Sequence, residues 1–125
     1  EALGLYQKYC DNKEFQLCID KGVDFYINNL FSDNQIPKYY HNRTYPIDIH
    51  CPAQLIVTLN TLQLTKKHIS LLNNVLDWTI CNMQNKEGYF YYQIKRIISS
   101  KISYMRWSNA FMFYGMSYYL KENYK

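Results

Sequence analysis

The chain has 125 residues, of which 48% are hydrophobic and 19% are charged, and its net charge is +4. These values predict one globular domain over residues 1–125 and exclude an intrinsically disordered segment. The basic residues are scattered along the chain rather than gathered on one predicted face, so we expect no nucleic-acid partner.

The same sequence carries no sign of export or of a membrane span. No stretch reaches the roughly 20 apolar residues that a span requires, so no membrane partner is expected. Glu1 falls inside a helical pattern with no signal peptide, and we interpret the chain as the C-terminal part of a longer protein. Four cysteines without C-x-x-C or metal-type spacing predict reduced thiols, a cytoplasmic location, and neither metal nor cofactor.

Taken in chain order, the apolar spacing predicts a helix over residues 2–10 and a second helix from Phe15 to Phe31. Gly22 lies within the second helix, where it costs about 1 kcal/mol relative to alanine, and we expect it to mark a close helix contact. A long polar connection covers residues 32–48. Pro52 then suits the first turn of a third helix, with Asp48 as its cap.

A fourth helix is predicted with Thr65 as its cap and an apolar face from Ile69 to Met83, ended by a turn in which Gly88 takes a positive φ. Residues 89–92 are aromatic and are predicted to pair with residues 97–104 as a short β-hairpin in the second long loop. The last helix begins near Arg106 or Ser108. The predicted fold class is all-α, made of tandem helical hairpins.

Two regions of the chain resemble each other. Ile27-Asn28-Asn29-Leu30 corresponds to Ile80-Cys81-Asn82-Met83 at an offset of 53, and Ile36 to Tyr89 at the same offset. Pro52-Ala53 corresponds to Asn109-Ala110 at an offset of 57. Helical hairpins that repeat in this way bury their faces by stacking on neighbours, which predicts a ring of hairpins. A plain helical bundle with accidental similarity is the alternative.

The sequence resembles α/α-toroid proteins that act on carbohydrates, such as six-hairpin glycosidases, unsaturated glucuronyl hydrolases and N-acylglucosamine 2-epimerases. The features that carry the resemblance are the hairpin period, Trp78-x-x-x-x-Met83 followed by Gly88-Tyr89-Phe90-Tyr91, and Met105-Arg106-Trp107-Ser108. The stretch Tyr45-Pro46-Ile47-Asp48-Ile49-His50-Cys51-Pro52-Ala53-Gln54 is similar to bacterial toroid proteins of polysaccharide gene clusters, some labelled delta-aminolevulinic acid dehydratase. The metal cysteine cluster and lysine pair that this label implies are not recognisable here.

The resemblance implies that the long loops gather where the inner helices begin, so this face holds the candidate site. Helix N-termini there favour anionic ligands such as uronates or phosphosugars. The candidate catalytic residues are Asp48 and His50, with His50 as the base of an epimerase-like reaction; a structural role for His50 is the alternative. Cys51 has a helix N-terminus to lower its pKa but no partner as a nucleophile. The candidate ligand-binding residues are Tyr45, Gln54, Tyr89, Tyr91, Arg106, Trp107 and Asn109.

Two functions follow from this interpretation. The first is part of a carbohydrate-active or polysaccharide-biosynthesis enzyme with a saccharide ligand. The second is a non-catalytic module that binds a glycan or a protein, and the sequence leaves the choice open. A glycosidase needs two carboxylates in its cleft, and besides Asp48 only Glu87 lies near the right loops. Unpaired stacking faces also predict a homodimer of this chain.

Overall fold

The computed structural model describes residues 1–33 and 35–123, which are mostly helical with a small two-stranded sheet. This confirms the predicted helical class in its coarse form. A π-helical turn, Met105–Asn109, precedes the last helix. The helices are α1 (Ala2–Cys10), α2 (Gln16–Asn29), α3 (His50–Thr61), α4 (Ile69–Met83) and α5 (Ala110–Asn123), and the strands are β1 (Ile47–Asp48) and β2 (Gln93–Ile94).

Helix α3 is at the centre of the hydrophobic core. Its start is fixed by Asp48, whose Oδ1 accepts the backbone N–H of His50 at 2.9 Å, and Pro52 occupies its first turn as predicted. Its buried residues recur at helical spacing and face the buried stripe of α4. The buried side chains of these two helices are Pro52, Ala53, Leu55, Ile56, Leu59, Leu72, Val75, Leu76, Thr79 and Met83.

Helix α5 packs on α3 more extensively than any other pair of elements. Gly115 permits this approach, because a Cβ there would lie 3.2 Å from both the Ala53 carbonyl oxygen and Ile56 Cδ1. The prediction that Gly22 marks a close helix contact is wrong, since nothing lies within 4 Å of a Cβ at that position. Helix α2 has no buried residue, so its glycine faces open space while Gly115 faces the core.

Helix α1 contacts α3 on another side. Thr58 donates its hydroxyl to Glu1 Oε1 at 3.1 Å, and a Cβ on Gly4 would meet the side chain of Leu62. Helix α3, the first helix of the second predicted hairpin, therefore packs extensively on α5 and touches the start of α1 near its own end. None of the helices among the described residues combines the length and apolar character needed to cross a membrane.

Residues 25–38 and 78–91 form equivalent hydrogen bonds at the offset of 53 that the sequence indicates. In each segment, an asparagine near the helix end donates to a carbonyl four residues earlier, and backbone bonds then close the following turn. The left-handed position coincides too: Gln35 has φ 58° and Gly88 has φ 94°. The equivalent donor–acceptor pairs are Asn29–Phe25 and Asn82–Trp78, Ser32–Ile36 and Asn85–Tyr89, Gln35–Ser32 and Gly88–Asn85, and Lys38–Leu30 and Tyr91–Met83.

The small sheet joins the two long loops to each other. β1 and β2 are antiparallel, with Ile47 opposite Ile94 and Asp48 opposite Gln93. The predicted β-hairpin of residues 89–92 with 97–104 is wrong in its pairing, because β2 lies in the second loop but its partner is β1. Within that loop, isolated bridges join Gln84 to Phe90 and Gln93 to Ser100. Strand propensity predicts which residues are extended but does not predict which strand they pair with. The pairing of β2 with β1 is favoured because it buries Ile47.

Candidate functional site

The two long loops and the start of α3 meet around Asp48 and His50. β1 ends at Asp48, α3 begins at His50, and the backbone N–H of Ile49 donates to the Tyr92 carbonyl at 3.1 Å. The pairing of Asp48 with Gln93 in the sheet carries the second loop over the first turn of α3. Residues that are 45 positions apart in the chain thus form one polar cluster.

Asp48 is the centre of this cluster and is only 3% exposed. Its Oδ1 accepts the His50 backbone N–H and lies 2.6 Å from His50 Nδ1, while its Oδ2 accepts the side-chain amide of Gln93 at 3.0 Å. A carboxylate accepts hydrogen bonds, so Nδ1 of His50 is the donor to Asp48, and in the neutral imidazole Nε2 is then an acceptor. The carboxylate therefore fixes both the orientation of the imidazole and its tautomer.

His50 Nε2 is buried and has no hydrogen-bond partner among the described residues. A buried polar atom without a partner costs about 1–3 kcal/mol, and such atoms in proteins are usually paired with protein or ligand groups. A group that donates a hydrogen bond to Nε2 would recover that cost. The imidazole is thus oriented at one nitrogen and unsatisfied at the other.

Aromatic rings surround this imidazole. The ring centroids of Phe111, Trp107 and Tyr92 lie 4.8, 5.9 and 6.2 Å from that of His50. Trp107 stacks on Tyr92 at 6.0 Å with an interplanar angle of 26°, and Tyr104 contacts both rings edge-on. Trp107 is 55% exposed, so this stack combines a face that contacts the cluster with a face that meets solvent.

A cavity of about 240 Å³ opens beside His50, between the end of α2, the first long loop and the start of α3. This volume is below the roughly 300–1,000 Å³ typical of sites for drug-sized ligands, which suits a ligand of about one ring. Its wall is largely aromatic and aliphatic, with a few polar groups. The lining residues are Tyr26, Leu30, Phe31, Lys38, Tyr39, His50, Cys51 and Gln54.

Burial controls the ionisation of the other titratable groups near His50. Burial, followed by the negative charge of Asp48, raises the pKa of the Cys51 thiol to about 12. The start of α3 therefore does not lower this pKa, because burial first and the charge of Asp48 second both oppose the thiolate. Burial and then Asp48 also raise the pKa of Tyr92. Both groups are protonated at neutral pH, so neither supplies a base.

The predicted site residues divide into two groups in the structure. Asp48, His50 and Trp107 lie together, and Gln54 lines the cavity with His50. Tyr89 and Tyr91 form a separate ring pair, and the ammonium of Lys101 lies 5.5 Å from the Tyr91 ring.

Three predicted ligand-binding residues have other positions. Asn109 holds the second loop on α5 by accepting the backbone N–H of Phe90 at 2.8 Å and donating to Ser103. Tyr45 is 42% exposed and Arg106 is also exposed. Asn109 therefore has a structural role, while Tyr45 and Arg106 are available to solvent.

Sequence reasoning missed Tyr92, Gln93 and Phe111 as members of the cluster. The first two join it through the register of β2 on β1, and no local pattern specifies that register. Phe111 lies four residues after Trp107, on the same face of the helix, so the prediction of Trp107 as a site residue could have been extended to Phe111. The missed polar partner is Gln93, whose amide holds the second oxygen of Asp48.

The cluster contains one carboxylate. Glu87 lies in the exposed turn after α4, where its backbone N–H donates to Asn85 Oδ1 at 2.8 Å. Residues 1–33 and 35–123 contain no group of three or more His, Cys, Asp or Glu residues able to hold a metal ion. The polar chemistry of the site therefore comes from Asp48, His50 and the amides near them.

Comparison with known proteins returned no relative: no family model, curated protein or solved structure matches this chain. What the site does must accordingly follow from its own geometry and chemistry.

Proposed function

We propose that this chain belongs to a longer α/α-toroid protein of carbohydrate metabolism or polysaccharide biosynthesis. In this proposal the cluster around His50 binds a saccharide. The observation that carries it is the buried, unpartnered Nε2 of an imidazole that Asp48 orients and that Trp107 and Tyr92 flank. A saccharide hydroxyl is a donor of the right kind for Nε2, and its C–H faces suit aromatic rings.

The toroid part of the proposal is supported by the recurring turn geometry and by the order of the helices. Residues 25–38 and 78–91 share their hydrogen bonds at one offset, and α3 lies against both α1 and α5. In a ring of hairpins the first helix of each unit contacts the first helix of the next. A reducing, cytoplasmic setting belongs to the same proposal and is supported by four unpaired cysteines.

The charge at the site favours a neutral saccharide over a uronate or a phosphosugar. Asp48 precedes α3, accepts the N–H of its first residue and places a buried negative charge beside His50, where it offsets the positive end of the helix. The ammonium of Lys38 borders the cavity but donates to the His41 carbonyl at 3.0 Å. An anionic group next to His50 would therefore be repelled by Asp48 unless the imidazole were protonated.

If the site is catalytic, His50 is the base. Nε2 accepts a proton from the saccharide, and Asp48 stabilises the resulting imidazolium without becoming protonated itself. Hydrolysis by a carboxylate pair needs a second acid about 5–9.5 Å from the first, and the described cluster contains Asp48 alone. Proton transfer of the epimerase kind suits this set of residues better, with a second acid–base group on another hairpin.

A non-catalytic glycan-binding module is the second candidate, favoured by the small set of ionisable groups in the described cluster. Proton transfer needs a second acid–base group, whereas binding needs only the acceptor Nε2 and the aromatic rings around it. The two candidates share the ligand and the face of the molecule. They differ in whether removing the imidazole base abolishes turnover or only weakens binding.

Tryptophan fluorescence titration of the chain tests the shared part. The probes are N-acetylglucosamine as a neutral sugar, glucuronate as a uronate and glucose 1-phosphate as a phosphosugar. We expect quenching or a spectral shift with the neutral sugar that Trp107→Phe removes, while Trp78→Phe retains it. Stronger binding of both anionic probes than of the neutral sugar would contradict the charge argument, and no binding of any probe would contradict the site.

His50→Gln separates catalysis from binding. Glutamine retains a hydrogen-bonding side chain but cannot act as a base. In the full-length protein, loss of isomer exchange in deuterated solvent with retained binding identifies the enzyme. Weakened binding in His50→Gln, together with absence of exchange in the unaltered protein, identifies the binding module.

A further inference from the structure

The segment of residues 95–107 combines the most exposed isoleucines of the described chain with a group of cations. Ile97 is 91% exposed, Ile98 76% and Met105 75%. Soluble proteins rarely present large apolar side chains so fully and so close together unless another surface covers them. The segment also contains exposed Lys95, Arg96, Lys101 and Arg106.

The backbone holds this apolar tip away from the body of the molecule. Gln93 and Ser100 exchange both of their backbone hydrogen bonds, at 3.2 and 2.8 Å, and so fix the base of the loop. Ile97 and Ile98 lie at the middle of the residues between them. Because the base of the loop is already fixed, the loop loses little conformational entropy when its tip contacts another surface.

The charge of this region has one sign. Residues 88–121 contain Lys95, Arg96, Lys101, Arg106 and Lys121 and no aspartate or glutamate. Four of these five cations lie in the 95–107 segment, on either side of the isoleucines. An anionic lipid bilayer is complementary to such a surface, because its headgroups are negatively charged and the acyl chains below them are apolar.

We propose that the 95–107 segment docks this protein on an anionic membrane surface. Ile97 and Ile98 enter the boundary between headgroups and acyl chains, and Lys95, Arg96 and Lys101 contact the lipid phosphates and carboxylates. Such docking needs no membrane-spanning helix. The expectation of no membrane partner rested on the missing span and does not bear on surface binding.

Other occupants fit these residues less well. Single-stranded RNA binds on aromatic faces along a basic groove, whereas the tip here is aliphatic. A second copy of the chain would bring two segments of the same positive sign together. A lipid bilayer satisfies both the charge and the apolar tip.

Vesicle co-sedimentation of the full chain tests the proposal. We expect binding to phosphatidylcholine vesicles that contain about one third phosphatidylserine, weak binding to phosphatidylcholine alone, and a decrease with added salt. Ile97→Ser with Ile98→Ser should weaken binding about a hundredfold or more, since each buried isoleucine contributes at least about a tenfold effect. Lys95→Gln with Arg96→Gln should weaken it about thirtyfold at low salt, from about 1 kcal/mol for each cation.

Matched variants elsewhere on the surface control for general loss of apolar or basic residues. Leu17→Ser with Phe113→Ser removes two exposed apolar side chains, and Lys66→Gln with Lys67→Gln removes two exposed cations. Both control pairs should bind vesicles as the unaltered chain does, and thermal melts should show all variants folded. Equal losses in the control pairs, absence of phosphatidylserine dependence, or tighter binding to single-stranded RNA than to vesicles would overturn the proposal.

Discussion

Replacing Asp48 by alanine removes the group on which the whole cluster depends. The buried carboxylate accepts the backbone N–H of His50 at 2.9 Å, contacts its Nδ1 at 2.6 Å, and accepts the Gln93 amide at 3.0 Å. A hydrogen bond to a charged group contributes about 1.5–3 kcal/mol. The imidazole and the amide are partly exposed and regain some bonding to water, so we expect a loss of about 3–5 kcal/mol in the free energy of unfolding.

Asp48→Asn is the matched variant. The asparagine carbonyl oxygen can retain both bonds to His50, while its NH₂ group faces Gln93. Rotation of the Gln93 amide by about 180° then lets the Gln93 carbonyl oxygen accept a hydrogen bond from this NH₂ group. The asparagine variant should therefore lose only about 1–2 kcal/mol, the part that depends on charge. Urea unfolding followed by far-ultraviolet circular dichroism measures both losses, and the slope with denaturant should remain unchanged.

The tautomer of His50 provides a second measurement on the same variants. While Asp48 holds Nδ1–H, the neutral imidazole keeps its proton on Nδ1, and nitrogen-15 chemical shifts of the ring report this directly. Alanine at position 48 releases that constraint and should shift the proton towards Nε2. A loss of less than about 1 kcal/mol in the alanine variant, or an unchanged tautomer, would refute the role assigned to the carboxylate.

Three further substitutions and one alkylation reaction test the packing and the ionisation. Gly22→Ala should raise the free energy of unfolding by about 0.5–1 kcal/mol, because a Cβ there meets nothing within 4 Å. Gly115→Ala should be at least about 1 kcal/mol less stable than Gly22→Ala, since its Cβ lies 3.2 Å from atoms of α3; equal urea midpoints would contradict this. Iodoacetamide at pH 8 should alkylate exposed Cys81 far faster than Cys51, whose pKa of about 12 instead of 9.0 lowers its thiolate fraction about a thousandfold, as mass spectrometry would show. Because the folded-state pKa of Cys51 is raised, the contribution of its protonated thiol to the free energy of unfolding is present below pH 9.0 and is lost as pH rises towards 12. The free energy of unfolding of Cys51→Ala should therefore fall less over this pH range.

Much of the helical organisation was predictable because its signals are local. Pro52 and the carboxylate of Asp48 mark the start of α3, and Gly88 marks the turn after α4 with φ 94°. Apolar spacing located the buried stripe of α4, since each position contacts its neighbours three and four residues away. The offset of 53 was readable too, because equivalent turns require equivalent residues at the helix end.

The glycines and the strands show where this reasoning fails. Gly22 and Gly115 look alike in sequence, yet only Gly115 faces another helix. The aromatic stretch 89–92 was predicted to be extended but was assigned the wrong partner, and β1 lies at the end of a segment that was predicted only as a polar connection. In both cases the contact that decides the outcome joins residues more than 40 positions apart, Gly115 with Ala53 and Ile47 with Ile94. Local propensity carries no information about contacts at that separation.

The sequence by itself determined that the chain is helical, where the turns fall, and that Asp48 and His50 stand together at a helix start, because two residues separated by one position remain close in any fold. Tertiary structure alone decided what surrounds them. Pairing of β1 with β2 placed Gln93 on the carboxylate, and packing of α5 on α3 placed Phe111 and Trp107 on the imidazole. Burial of His50 Nε2 and the high pKa of Cys51 follow from those long-range contacts, since desolvation depends on every element packed around a group.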